Sequence, residues 1–241
     1  MGKARSPFKK SLKKLQKIKT RDYGLVVLGA LIVLGLLAIS SAMPKKSGIV
    51  PLAVGQDAIT SPWIPATVKQ WSGIIQEMGR TYDIDPNLVA IIMTIESGGN
   101  PQAKSGVGAQ GLLQIMPATA QDIAAKHLKK PVAQYDIYDP RTNIEFGTAY
   151  LAYLRSTFGE ASQGPTWDET AELIGAGYNG GPGAARNLEK GLGLQSLETS
   201  SYSRDVYNMW RERNAPISPT YNRWLDRGGS TLVDKAAAKQ S

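Results

Sequence analysis

Between Asp85 and Gly99 the sequence spells out a helix with both ends marked. Asp85 offers a carboxylate to the first unpaired amide groups, and Pro86 has the fixed backbone angle suited to a first helical position. Leu88, Val89, Ile91, Ile92 and Ile95 recur at helical spacing and predict an apolar face turned towards a core. Gly98 and Gly99 end the helix. Glu96 follows Ile92 by one helical turn and Leu88 by two, so the spacing puts a carboxyl group on the buried stripe, in the last turn. Carboxylates seldom occupy such positions without a partner or a task. Desolvation and the negative end of the helix dipole both favour the protonated form and raise the pKa. That is the condition under which a glutamate donates a proton near neutral pH. An ordinary surface glutamate at a fraying helix end, or one salt-bridged to a basic partner, satisfies the same local pattern, so this stretch alone leaves these readings open.

The chain has 241 residues, 42% of them hydrophobic, enough for one good-sized core with additions at its ends. It contains no Cys and a single His, His127. This excludes disulfides, thiolate chemistry and a multi-histidine zinc site, and it argues against a Ser-His-Asp or Cys-His machine. No metal and no cofactor is implied. His127 precedes Leu-Lys-Lys near an expected helix end and reads as a surface histidine favoured by the dipole.

The net charge of +8 is unevenly placed. Nine Lys and Arg side chains, from Lys3 to Arg21, precede the first acid, Asp22, while the remaining 19 basic residues face 20 acidic ones. The basicity belongs to an arm, residues 1–22, and a nucleic-acid-binding face on the folded part is not expected. An uncharged run from Tyr23 to Ile39 follows, close to the roughly 17 residues that span a bilayer. With the basic arm held inside, residues 23–42 read as a single transmembrane anchor with a cytoplasmic N-terminus and an extracytoplasmic remainder. Ser40-Ser41-Ala42 also resembles a cleavage site, so a signal peptide is the competing reading. Residues 43–65 are broken by Pro44, Pro51, Pro62 and Pro65 and read as a linker.

From residue 66 to 213 the pattern is helical, with no sustained period-two alternation, which predicts an all-α domain with a minor hairpin at most. Expected helices run from Val68 to Tyr82, Asp85 to Ser97, Pro117 to His127, Asp139-Pro140 to Gly159, Asp168 to Tyr178, Pro182 to Lys190 and about Ser200 to Arg213. Residues 214–241 hold Pro216, Pro219, Gly228 and Gly229 and read as a loosely ordered tail, with Tyr221 and Trp224 as candidates to pack back.

Three further stretches carry side chains suited to binding. Gly111-Leu112-Leu113-Gln114-Ile115-Met116-Pro117 sets an amide between apolar residues, a group that hydrogen-bonds a sugar hydroxyl or acetamide. Tyr178-Asn179-Gly180-Gly181-Pro182-Gly183 puts an aromatic and an amide at a helix end; it lacks the strand and the Gly-Lys-Ser/Thr of a phosphate loop. Glu198-Thr199-Ser200-Ser201-Tyr202 offers a capping or buried acid at the start of the last helix.

Taken in order, with Glu96-Ser97-Gly98-Gly99-Asn100-Pro101 in front and Asp139-Pro140 with Asn143-Ile144 between, these motifs resemble the soluble-lytic-transglycosylase family over roughly residues 66–213. The resemblance implies a lysozyme-like helical domain and glycan strands of peptidoglycan as the partner. The implied reaction cleaves the β-1,4 bond between N-acetylmuramic acid and N-acetylglucosamine and leaves a 1,6-anhydromuramic end without consuming water. It further implies Glu96 as a single acid/base and Ser97 as a residue that orients the glutamate or the substrate. Gln114 and Met116 would line the cleft, Tyr178 would hydrogen-bond near the catalytic carboxyl, and Asn179 would support the site. Glu198 and Tyr202 would hold the lower cleft wall. The chain departs from the pattern at Leu113, where methionine is common, at Gly177, where alanine is, and at Leu197, where proline is frequent before Glu-Thr.

One carboxyl suffices if the substrate supplies its own nucleophile, because an attached hydroxyl has a large effective concentration relative to water. Ordinary glycosidases need two carboxyl groups; here no second one is required, and whether Asp83, Asp136 or Glu145 lies close in space is left open. A hydrolytic, goose-type-like lysozyme is the rival of the same fold, told apart by a reducing end in place of the anhydro end. A non-catalytic peptidoglycan-binding part of an envelope-spanning machine, or of a virion with an internal membrane, is the reading from another class.

Overall fold

The computed structural model describes residues 58–239, apart from 130, 132–134 and 160–166. Helix α1 (Ala66–Lys69) leads into α2 (Ser72–Tyr82) and α3 (Pro86–Ser97). Helix α4 (Pro117–Asp122) continues through Ile123–Leu128 with the wider turns of a π-helix. Then come α5 (Pro140–Phe158), α6 (Trp167–Glu189) and α7 (Leu197–Arg211). Helix α8 (Pro219–Trp224) runs on through Leu225–Gly229, where Gly228 (φ 111°) kinks the chain, and meets α9 (Ser230–Ala237). No strand forms among the described residues; isolated antiparallel bridges join Gln110 to Lys104 and to Ile115.

Helix α3 is the axis of the domain. The apolar spacing predicts one buried face, but all twelve residues from Pro86 to Ser97 are buried. Helices α1, α2, α7 and α9 all pack on it, and they enclose the polar Asn87, Thr94, Glu96 and Ser97 together with the apolar row. Its ends follow the sequence reading. The Asp85 carboxylate accepts from the Asn87 N–H at 2.8 Å, and Gly98 takes φ 61° while its N–H closes on Thr94.

Helix α5 starts under the Asp139 cap, which accepts from the Thr142 N–H at 2.8 Å, and buries Ile144, Leu151, Leu154 and Phe158 against the core. Helix α6 breaks at Gly181, with φ 78° and ψ 170°, just before Pro182. Helix α7 begins at Leu197, earlier than its apolar spacing indicates, because Ser196 caps it by accepting from the Thr199 N–H at 3.2 Å. That early start puts Glu198 and Tyr202 one turn apart on the same helix face.

Several expectations change. The expected helix from Val68 to Tyr82 breaks around Gln70 and Trp71, where the Trp71 indole N–H turns to donate to the Gly99 carbonyl at 3.1 Å. The end of the expected linker is docked: Ser61 and Ile64 are buried, and the Thr60 and Ser61 N–H groups both donate to Asn87 Oδ1. The expected loose tail forms α8 and α9 and buries Trp224 and Ala236. His127 is half-buried, with its ring 5.5 Å from that of Tyr153, and burial pulls its pKa down. Desolvation therefore outweighs the dipole effect expected for it. The expected arm and anchor lie outside the described residues, and no described helix is long and apolar enough to cross a membrane.

Candidate functional site

Glu96 sits in the last turn of α3 and is 9% exposed. Its Oε1 accepts a hydrogen bond from the Tyr202 hydroxyl of α7 at 2.6 Å. Burial pushes the pKa of Glu96 up to about 7; the Tyr202 hydrogen bond pulls it down, and the charge of Glu198 pushes it up further. The group thus holds a proton in the neutral range and still has a donor ready for the ionised form. Burial and the nearby Glu96 raise the phenols of both Tyr202 and Tyr178 well above the usual value, so both remain hydroxyl donors.

Tyr178 ends the first half of α6 and donates to the Leu113 carbonyl at 2.7 Å. Asn179, next to it, lies beside the Glu198 carboxylate and favours its charged form, against the burial that raises its pKa. The Tyr150 ring lies 5.5 Å from that of Tyr178. Gly177 accommodates the fold in its own way: a Cβ there would stand 2.7 Å from a Leu154 methyl group, so Leu154 fills the space an alanine would take. Leu197 is 90% exposed and leaves the start of α7 uncovered beside Glu198.

The loop before α4 is held by three separate elements. Ser97 Oγ donates to the Leu112 carbonyl at 2.6 Å, and the Gly99 N–H donates to Ser97 Oγ at 3.1 Å. The Leu113 N–H donates to Asn143 Oδ1 at 2.7 Å, and Tyr178 takes the Leu113 carbonyl. Ser97 therefore ties the end of α3 to the loop. Gln114 adopts a left-handed φ of 45°, and its Nε2 donates to the carbonyls of Ala103 and Gly111. Met116 is half-buried and forms the N-cap of α4.

The fold thus brings Glu96, Tyr178, Asn179, Glu198 and Tyr202 into one linked group and attaches Ser97 and Gln114 to the adjoining loop. The sequence pattern assigns Asn143 no role, and the fold gives it one. It is fully buried, and its Nδ2 donates to the carbonyls of Gln110 and Ile137. The signal for it is an amide beside the apolar row of α5, where burial requires hydrogen-bond partners.

The other acids considered for the site are engaged elsewhere. Asp83 pairs with Arg155 at 2.6 Å, Glu145 accepts from the Tyr82 hydroxyl at 3.1 Å, and Asp136 accepts from the Tyr138 N–H. The carboxylate whose charge reaches Glu96 is Glu198. No cluster of acids and His able to hold a metal ion exists among the described residues.

The Transglycosylase SLT domain model matches residues 73–196, just over half of the chain. The membrane-bound lytic murein transglycosylase E of Buchnera aphidicola is 41% identical over 98 residues, which are 39% of this chain and 44% of that protein. The membrane-bound lytic murein transglycosylase C of Actinobacillus pleuropneumoniae is 38% identical over 124 residues, 50% of this chain and 33% of that one. The transglycosylase of Enterobacteria phage PRD1 is 39% identical over 93 residues, 39% of this chain and 32% of that one. Against each of them the match spans less than half of the relative's length. Among solved structures, the 70 kDa soluble lytic transglycosylase of Escherichia coli superposes with a TM-score of 0.45 and 28% identity, over 63% of this chain and 27% of that one.

Proposed function

The chain belongs to the transglycosylase SLT domain family, and from that premise we propose that it is a peptidoglycan lytic transglycosylase with Glu96 as its one acid/base. The observation that carries the reading is the buried carboxyl of Glu96, pushed to about pKa 7 and hydrogen-bonded at 2.6 Å by Tyr202. Relatives named lytic murein transglycosylases support the substrate class.

In the first step Glu96 gives its proton to the oxygen that leaves with N-acetylglucosamine, and the bond from that oxygen to C1 of N-acetylmuramic acid breaks. The substrate's own acetamide stabilises the positive charge that develops at C1. In the second step the 6-hydroxyl oxygen bonds to C1, and the Glu96 carboxylate takes the hydroxyl proton. The enzyme ends as it began, and no water is consumed. A pKa near the working pH serves both steps, since the same group must first release a proton and then accept one. Tyr202 holds the carboxyl in place and stabilises its charged form between the steps. Ser97, Gln114 and Met116 set the loop beside the glycan, while Asn179 and Glu198 form the facing wall.

A hydrolytic, lysozyme-like outcome is the second reading, favoured by the charge of Glu198 reaching Glu96, because hydrolases use a second carboxylate to activate water. Mass spectrometry of the released muropeptides separates the two. The anhydro product is lighter by one water than the hydrolytic product, and the anhydro form is expected. Glu96→Gln should lower turnover by about three orders of magnitude or more in a folded protein; turnover near that of the parent would sink the assignment. Residues 23–42 are proposed as a single-pass anchor that leaves the catalytic domain outside the cytoplasm, in keeping with the membrane-bound names of two relatives. Retention of the full chain in the membrane pellet after alkaline carbonate extraction is the expected result.

A further inference from the structure

The far end of the glutamate helix is held by a part of the chain that the family match does not reach. That match stops at residue 196, whereas α8 and α9 occupy 219–237. Gly98, two positions after Glu96, stands against the backbone of α9. A Cβ at Gly98 would lie 2.8 Å from both the Leu232 carbonyl carbon and the Val233 nitrogen. An approach this close is open to glycine alone, and the φ of 61° asks for glycine as well. Gly99 meets the Thr67 backbone of α1 in the same manner.

The segment that supplies α9 is also fastened to α7, the helix that carries Tyr202. Glu212 accepts from the Thr220 N–H at 3.0 Å, from Thr220 Oγ1 at 2.9 Å and from Ser218 Oγ. Arg227 pairs with Asp205 of α7 at 2.6 Å. One segment therefore grips both helices whose side chains meet in the Glu96–Tyr202 hydrogen bond.

We infer that residues 214–239 are a positioning element of the reaction, a clamp that fixes the end of α3 against α7 and so sets Glu96 against Tyr202. The inference rests on Glu96 being the acid. Hydrogen-bond strength falls steeply with misalignment, so a small slip between α3 and α7 loosens the carboxyl and admits water to it. Chemistry then suffers before glycan binding does.

The test uses the full chain. Ala236 is fully buried on α9, one turn on from the Leu232–Val233 backbone that meets Gly98, and Ala236→Leu is designed to overfill that buried face and shift α9. The expected result is a kcat lower by about tenfold with KM within about twofold. The alkaline limb of the rate profile should also move to lower pH: a weakened Tyr202 bond alone would raise the carboxyl pKa, but burial is the larger cause of the raised value and hydration relieves it. Lys235→Ala, on the exposed side of α9, should leave all three unchanged. A folded Ala236→Leu protein that melts earlier but keeps the parent kcat and limb overturns the inference, since α9 would then add stability alone. If Ala236→Leu does not fold, Val233→Ala is read by the same measures, with a kcat loss of about threefold expected and an unchanged kcat overturning it. Glu96→Gln run alongside separates the causes. If it is inactive while the α9 variants behave as the parent, the clamp alone fails; if it retains turnover, the acid assignment fails and the clamp with it.

Discussion

At the scale of single residues, the carboxyl that serves the proposed chemistry works against stability. Folded, Glu96 holds its proton up to about pH 7; unfolded, it releases it near the ordinary 4.5. Between those values the folded state binds more protons, so stability falls as pH rises through the window. The full span corresponds to about 3 kcal/mol, of which relaxation and local water leave about 1–3. Glu96→Gln removes the ionisation and keeps an oxygen for Tyr202. Its melting temperature should equal that of the parent near pH 4.5 and exceed it by several degrees above pH 7. A constant difference across that range, measured by calorimetry, would contradict the buried-acid account. Tyr202→Phe acts on the same group with the opposite emphasis. The lost donor favoured the charged carboxylate, so the alkaline limb should move to higher pH while the peak rate falls about tenfold or more.

At the scale of elements, Asn143 of α5 holds three backbone groups, two in the loop before α4, Leu113 and Gln110, and one in the segment leading into α5, Ile137. Gly111 allows this, because a Cβ there would collide with the Asn143 amide. Asn143→Ala strands the Leu113 N–H and the Ile137 carbonyl, at a cost of about 2–4 kcal/mol. Faster amide exchange at Leu113 and Ile115 is the expected local sign. Local signals in the sequence foretold much here: the Asp85 and Asp139 caps, the Gly98 stop and the burial of Glu96 all depend on residues within a turn or two. The Ser97 bond to Leu112, the Tyr202 bond to Glu96 and the docking of Val233 on Gly98 were not legible. Each joins positions separated by 15 to more than 100 residues, and helical spacing reports which face is buried but not what covers it. The break at Gln70 escapes helical spacing for the same reason, since the Trp71 indole leaves its helical row to reach Gly99.

At the scale of the whole molecule, the two ends of the described chain close on each other. The Trp63 indole N–H donates to the Glu212 carbonyl at 3.1 Å, and its ring lies 5.6 Å from that of Tyr221. Thr60 Oγ1 reaches both Asn87 and Asn214. The core shared by these ends is continuous: Ile64 and Val68 before the family match, and Val206, Met209, Trp210 and Trp224 after it, belong to one buried cluster with α3. A protein cut to residues 73–196 would lose all of those side chains and expose α3 where α1, α7 and α9 cover it. Burying a large apolar side chain contributes about 1.5–3 kcal/mol, while a whole domain is stable by only about 5–15 kcal/mol, so the cut exceeds what the remainder can bear. Residues 58–239 should therefore unfold in one cooperative thermal transition with a near-ultraviolet circular dichroism signal from packed aromatics. Residues 73–196 should retain helical signal at most and lose that aromatic signature. A cooperative melt of the shorter piece would mean that the flanks are additions to a self-sufficient core, and that the end of α3 needs no cover.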